Sequence, residues 1–201
     1  EFLSTRSNIN LLYLLAQELA KRSDWDSLYL ERFRVSRLTN SPTDHLPRSV
    51  RLLSSDSSPA YVIDLQQEDT PSFSWLPKKL RYYLRRSRDG LSKLGDLELT
   101  HFSDRDEIVR IIDDFFKLDV NSFSARGKTN EFEDEKYKAY FRELLLEYHN
   151  TGLLDTNVLY VGNRIIAIHI GYTLKENLNY VVTTFNWEFS DLNPGHQLLF
   201  E

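Results

Sequence analysis

Hydrophobic positions recur along this chain with two periods, and the switches between them mark out its elements. Leu11, Leu12, Leu15 and Leu19 fall at helical spacing, so residues from about Asn8 to Arg22 read as a helix that Ser7 or Asn8 can cap. Asp24-Trp25-Asp26 breaks it, and Leu28–Phe33 reads as a strand. Pro42, Asp44 and Pro47 mark a loop, Ser49–Leu53 a short helical or irregular piece, and Ser54–Pro59 another loop. Ala60–Leu65 alternates as a strand does. The polar, turn-rich Glu68–Ser74 reads as a connector between two halves.

Beyond the connector the pattern sharpens. Lys78–Leu94 reads as a helix with the apolar stripe Leu80, Tyr83, Leu84, Leu91 and Leu94; Gly90 weakens it where a bend can form, and Gly95 ends it. Leu97–Phe102 is a short strand with Leu97, Leu99 and His101 on one face. Ser103 or Asp104 caps the next helix, with Glu107 placed for a capping box and Ile108, Ile111, Ile112, Phe115 and Phe116 as its buried face. Asn121–Asn130 reads as a polar loop. Glu133–Asn150 is a second helix, with Tyr137, Tyr140, Phe141, Leu144, Leu145 and Tyr148 inward and Gly152 closing it. Three strands follow, Asn157–Val161, Arg164–Leu174 and Leu178–Trp187, joined at Gly162-Asn163 and Lys175-Glu176-Asn177. A Pro-Gly helix start ends the series. The order implies an α/β sandwich with a largely antiparallel sheet.

Composition narrows the chemistry. The chain has 201 residues, 41% hydrophobic and 27% charged, which is ordinary for a folded globular protein. Its net charge of -5 does not favour DNA as a partner. Absence of cysteine excludes disulfides, thiolate metal sites and a cysteine nucleophile. No apolar run approaches the roughly 18 residues a membrane span needs. Five histidines without paired spacing, and no clustered acids, give no metal site. The chain contains no methionine, and we read it as an internal piece of a longer protein.

Candidate sites cluster late in the chain. At Asn193-Pro194-Gly195-His196-Gln197 a helix begins, and helix starts offer free N–H groups and a positive dipole end to phosphate or carboxylate. Pro194 suits the first helical position, Gly195 admits a ligand, and the His196 and Gln197 N–H groups would face it. A plain helix start has the same pattern. Strict alternation puts Tyr180, Val182, Thr184 and Asn186 on one strand face, and Val181, Thr183, Phe185 and Trp187 on the other. His169 lies mid-strand, either a base or a hydrogen-bonded structural residue. Glu188 and Asp191 suit a base or a helix cap. Lys78, Lys79, Arg81, Arg85, Arg86, Arg88 and Lys93 make the first of these helices basic. That face suits an anionic ligand, or a solvated surface pairing with acids such as Glu133, Asp134 and Glu135. Arg126-Gly127-Lys128 sits in the loop between two helices.

Taken in order, these features resemble a GNAT-like acetyltransferase family associated with cellulose and exopolysaccharide biosynthesis (the CelD/BcsL group). The matching residues are Leu84-Arg85-Arg86 with Leu91 and Gly95; Phe115–Leu118 followed by Arg126-Gly127 and Phe132; and Tyr140-Phe141 through Gly152-Leu153. Leu159, Gly162, Ile166-Ala167 and Gly171 match its hairpin, and Asn193-Pro194-Gly195 with Leu198 its Ser-Pro-Gly helix start, with Asn for Ser. The resemblance implies a GNAT-like fold, here incomplete: 1–74 as the C-terminal part of a first lobe and 75–201 as the N-terminal two-thirds of a second. It implies an acyltransferase using acetyl-CoA or another acyl-CoA, with no metal, on a small-molecule or glycan acceptor in the cytoplasm. Asn186, Asn193, Pro194, Gly195, His196 and Gln197 would hold the donor. A backbone N–H near Thr184–Asn186 would polarise the thioester carbonyl, and Tyr180 or Thr184 would protonate the thiolate, with His169 a candidate base. The Fem peptidyltransferases share the arrangement, which leaves open an aminoacyl-tRNA donor. The usual phosphate loop has several glycines where this chain has Gly195, which leaves open a non-catalytic interaction module.

Overall fold

The computed structural model describes residues 15–24, 47, 49, 76–174 and 177–201. The chain divides into two compact units, Glu1–Asp69 and Thr70–Glu201. In the first unit, residues 15–19 are helical, within the expected helix. The expected strands Leu28–Phe33 and Ala60–Leu65 lie outside the described residues, as does the connector Glu68–Ser74.

The second unit runs α1 (Lys78–Ser92), β1 (Leu97–His101), α2 (Arg105–Ser124), a 3-10 turn (Glu131–Glu133), α3 (Glu135–Asn150), β2 (Leu154–Val161), β3 (Arg164–Leu174), β4 (Asn177–Phe185), a second 3-10 helix (Trp187–Leu192) and α4 (Pro194–Phe200). The strands lie in the order β1-β2-β3-β4 with all neighbours antiparallel. Helices cover both faces of the sheet. On one, Ile108, Ile111, Phe115 and Phe116 of α2 meet Phe141 and Leu145 of α3, Phe132, and Val158, Ile168 and Ile170 of the sheet. On the other, Leu91 of α1, Leu198 of α4 and Phe189 pack on Leu159, Val161, Ile166 and Ala167. Covered twice, β3 buries seven residues in succession, Ile166–Tyr172, as strands between two helical layers do. Among the described residues no helix is long and apolar enough to cross a membrane.

Several expected details change. The Asp104 side chain takes the Asp106 and Glu107 N–H groups at 2.9 and 3.1 Å and so starts α2 as expected. That helix continues through Asn121–Ser124, where a loop was expected. Asp119 and Ser122 turn inward there, and Asp119 accepts the Asn130 amide at 2.7 Å, so tertiary partners hold polar residues in helix. Tyr140 is exposed rather than inward, and Tyr83 and Leu94 of the α1 stripe are exposed too. Gly90 does not interrupt α1, which runs from Lys78 to Ser92. A Cβ at Gly90 would stand 2.6 Å from Leu192 Cδ2, and Ser87 donates to the Leu192 carbonyl. Two small residues thus bring α1 close to the second 3-10 helix. That helix replaces the end of the expected last strand, which stops at Phe185.

Candidate functional site

Two features meet at the C-terminal half of β4. The first is its outer edge, since among the described residues β4 pairs with β3 alone. The Asn186 N–H donates to the Ile166 carbonyl at 2.8 Å. Inter-strand bonds alternate along an antiparallel pair, so Thr184 and Asn186 turn their N–H groups toward β3 and Phe185 turns its own outward. This narrows the expected donor near Thr184–Asn186 to one edge N–H, that of Phe185. The Asn186 Oδ1 is also engaged, accepting the Glu188 N–H at 3.0 Å as the cap of the 3-10 helix.

The second feature is the Pro194 turn. Asn193 adopts the left-handed conformation (φ 45°, ψ 54°), and Pro194 is buried at the first position of α4. Asn193 is exposed and its carbonyl accepts both the His196 and Gln197 N–H groups, each at 3.1 Å. These two N–H groups therefore do not face a ligand, contrary to expectation: that of Gln197 makes the first regular i→i−4 bond of α4, and that of His196 shares the same cap carbonyl. Pro194 has no N–H, which leaves that of Gly195. Gly195 lies over β4: a Cβ built there would stand 3.7 Å from Thr183 Cγ2 and 3.8 Å from Phe185 Cδ1, ordinary contact distances. The His196 side chain is exposed. Gln197 is buried and bonds Glu201 through its amide nitrogen, while its Oε1 has no partner among the described residues.

Strict alternation fails in β4. Ile170 pairs with Val182 but Gly171 pairs with Tyr180, so a bulge inserts Val181. The insertion corrects the expected face assignment. Thr184 stays opposite Ile168 on the α2–α3 face, buried to 2% exposure, with no partner for its hydroxyl among the described residues. Tyr180 moves to the opposite face and stacks on His169, with ring centroids 3.9 Å apart and planes 7° from parallel. Of the three expected catalytic side chains, the fold joins Tyr180 to His169 and separates Thr184 from both. Burial raises the Tyr180 phenol pKa, and the neighbouring Thr183 hydroxyl acts in the opposite sense without a well-aligned bond.

The sheet brings to His169 three residues that the sequence reading had not singled out. Asp155 Oδ2 lies 3.4 Å from His169 Nδ1, Asn157 Nδ2 donates to Asp155 at 2.7 Å, and His101 Nδ1 lies 3.3 Å from Asn157 Oδ1. The hydrogen bond with His169 holds the Asp155 carboxyl below the ordinary carboxylate range, against the opposing effect of burial. Polar residues at alternate positions, Asp155 and Asn157, were the available signal. It was hidden because β2 starts at Leu154, three residues before the expected start.

Elsewhere, Arg126 sits over the Phe123 ring at 4.3 Å and the Trp187 ring at 5.6 Å, tying the α2–α3 loop to the end of β4. Lys78, Lys79, Arg85, Arg86, Arg88 and Lys93 of the basic helix are exposed. The acids expected to pair with them are engaged otherwise: Glu133 and Asp134 cap helices and Glu135 pairs with Lys138 at 2.7 Å. Glu188 pairs with Arg164 rather than capping α4. Among the described residues no three potential metal ligands cluster.

A strand–helix–helix–three-strand order, an open β4 edge and a helix starting just past it are now in place. A family model described as an acetyltransferase (GNAT) domain matches residues 78–201. The chain belongs to the GNAT acetyltransferase family. It is thus a GNAT-like acyltransferase, and GNAT domains generally draw on acyl-CoA. No curated protein matches the chain. An edge N–H suits a thioester carbonyl, and the Gly195 N–H suits a phosphate oxygen, although this turn offers one such donor where a glycine-rich loop offers several.

Proposed function

We propose that the protein moves an acyl group from acetyl-CoA or another acyl-CoA to an amine or hydroxyl of a small-molecule or glycan acceptor, in the cytoplasm and in support of polysaccharide synthesis. The observation that carries the donor side is the Gly195 turn lying on Thr183 and Phe185, beside the strand edge where the Phe185 N–H is presented. In this reading Asn193, Pro194 and Gly195 hold the pyrophosphate, and the Phe185 N–H polarises the thioester carbonyl as negative charge develops on its oxygen. Tyr180, whose phenol burial keeps protonated, returns a proton to the departing thiolate. The polysaccharide link rests on the ordered resemblance from Leu84 to Leu198. The two compact units support reading 1–74 and 75–201 as parts of two GNAT-like lobes.

The test is calorimetric titration of the protein with acetyl-CoA, followed by thiol release on adding acceptors. Binding in the micromolar range is expected; no heat at high micromolar ligand sinks the reading. One observation favours a second donor. Exposed Tyr82 and Tyr83 interleave the basic residues of α1, a combination suited to RNA. Transfer that disappears on ribonuclease treatment would promote an aminoacyl-tRNA donor instead.

A further inference from the structure

His169 is the one imidazole in the buried run of β3, and it is 2% exposed. Its two nitrogens are treated differently. Nδ1 faces Asp155 Oδ2 at 3.4 Å, and Asp155 is held by Asn157 and approached on its other oxygen by His101 Nδ1 at 3.7 Å. An acceptor at Nδ1 selects the tautomer that carries its proton there, which leaves Nε2 as a lone pair. That Nε2 is buried with no hydrogen-bond partner among the described residues. Gly171 makes the space, since a Cβ there would come within 2.8 Å of Nε2. The Tyr180 ring covers the imidazole from the edge strand and is 40% exposed.

Most buried polar side-chain atoms are hydrogen-bonded. A buried polar atom without a partner costs about 1–3 kcal/mol, and such atoms persist where a site uses them. The placement also matches the donor side. His169 is directly opposite Thr183 in the sheet, and Thr183 is one of the two residues on which Gly195 rests. We propose that His169, oriented by Asp155 and covered by Tyr180, is the general base that takes the proton from the acceptor. This rests on the acyl-transfer reading. The acceptor's O–H or N–H proton passes to Nε2 as its oxygen or nitrogen bonds the thioester carbonyl carbon. The carbon–sulfur bond breaks, the sulfur leaves as thiolate and takes the Tyr180 phenol proton, and the phenolate is reprotonated from solvent as His169 gives its own proton to solvent. Tyr180 must swing off the ring for an acceptor to arrive. It stands beside the Val181 bulge, where the ladder is already interrupted.

Three measurements test this. Long-range nitrogen-15 NMR should show neutral His169 protonated at Nδ1, and Asp155→Asn should abolish that preference. Tyr180→Ala should raise the reactivity of His169 toward diethyl pyrocarbonate, read by mass spectrometry. His169→Gln should bind acetyl-CoA within about twofold of wild type but release thiol to glucosamine about 100-fold more slowly. With hydroxylamine, a weakly basic and strong nucleophile that is largely unprotonated near neutral pH and needs less help from a base, the loss should be under about tenfold. An Nε2–H tautomer overturns the proposal, as does an unreactive His169 in Tyr180→Ala. Equal loss toward both acceptors does so too, because it marks a merely structural role. Failure of the donor reading looks different: wild type takes up no acetyl-CoA while the tautomer and reactivity results stand.

Discussion

Replacing Gly171 with alanine adds one methyl group at the point where β3, β4 and the His169 ring come closest. The new Cβ would lie 2.4 Å from the Asn179 carbonyl oxygen and 2.8 and 2.9 Å from His169 Nε2 and Cε1, all closer than real Cβ atoms come. The nearest of these is a backbone oxygen, so no rotamer change relieves the clash. Either β4 moves away at the bulge or the imidazole leaves its place under Tyr180. Overpacking of this kind costs about 1–3 kcal/mol, and losing the ring stack adds about 0.5–1.5 kcal/mol. Together that is ~1.5–4.5 kcal/mol, and at about 2–4 °C per kcal/mol for a chain of this size the variant should melt about 3–18 °C lower. Circular dichroism melts with parallel urea titrations measure this. Gly90→Ala is the control. Its Cβ meets Leu192 Cδ2 at 2.6 Å, but that atom ends a flexible side chain and the next two contacts are 3.6 and 3.7 Å. Alanine gains about 1 kcal/mol of helix propensity there, so Gly90→Ala should stay within about 1 kcal/mol of wild type. A Gly171→Ala protein that melts with wild type would refute the packing of His169 against Gly171. Equal destabilisation by the two variants would refute the argument that the yielding neighbour decides.

Asn130 caps a 3-10 turn through Phe132 N–H at 2.7 Å and satisfies buried Asp119 at 2.7 Å, so Asn130→Ala should lower stability by about 2–3 kcal/mol in urea unfolding. The Asp155 carboxyl has a lowered pKa in the fold, so its stabilisation is present above the unfolded value, about 4, and is lost as pH falls through the folded one. Acid titration of stability should therefore show a limb below about pH 4 that flattens in Asp155→Asn. Gly195→Ala meets only ordinary contacts and should bind acetyl-CoA nearly as wild type, whereas Gly195→Glu sets a carboxylate against the phosphates and should abolish binding with the melting temperature little changed. Calorimetry distinguishes the two, and normal binding by Gly195→Glu would remove the turn as the anchor.

Local spacing alone determined much of this protein. The 3.6-residue period of Ile108, Ile111, Phe115 and Phe116, the Asp104 cap, the limits of β3 and the placing of Pro194 at a helix start all depend on neighbours within a few residues. The GNAT resemblance followed from the order of such elements. Tertiary structure decided what distant pairing controls. Helix α2 runs on through Asn121–Ser124, where Ser122 is buried and Asn130 returns to bond Asp119, and Gly90 marks a close approach to Leu192. Most of all, the candidate site depends on a single inserted residue. A period of two carries no sign of the Val181 bulge, which forms only when β4 is laid on β3. It turns Tyr180 onto His169, keeps Thr184 on the other face, and leaves the Phe185 N–H at the open edge. Asp155 reaches His169 across the sheet for the same reason: register between strands sets which side chains meet, and register is a property of the assembled sheet.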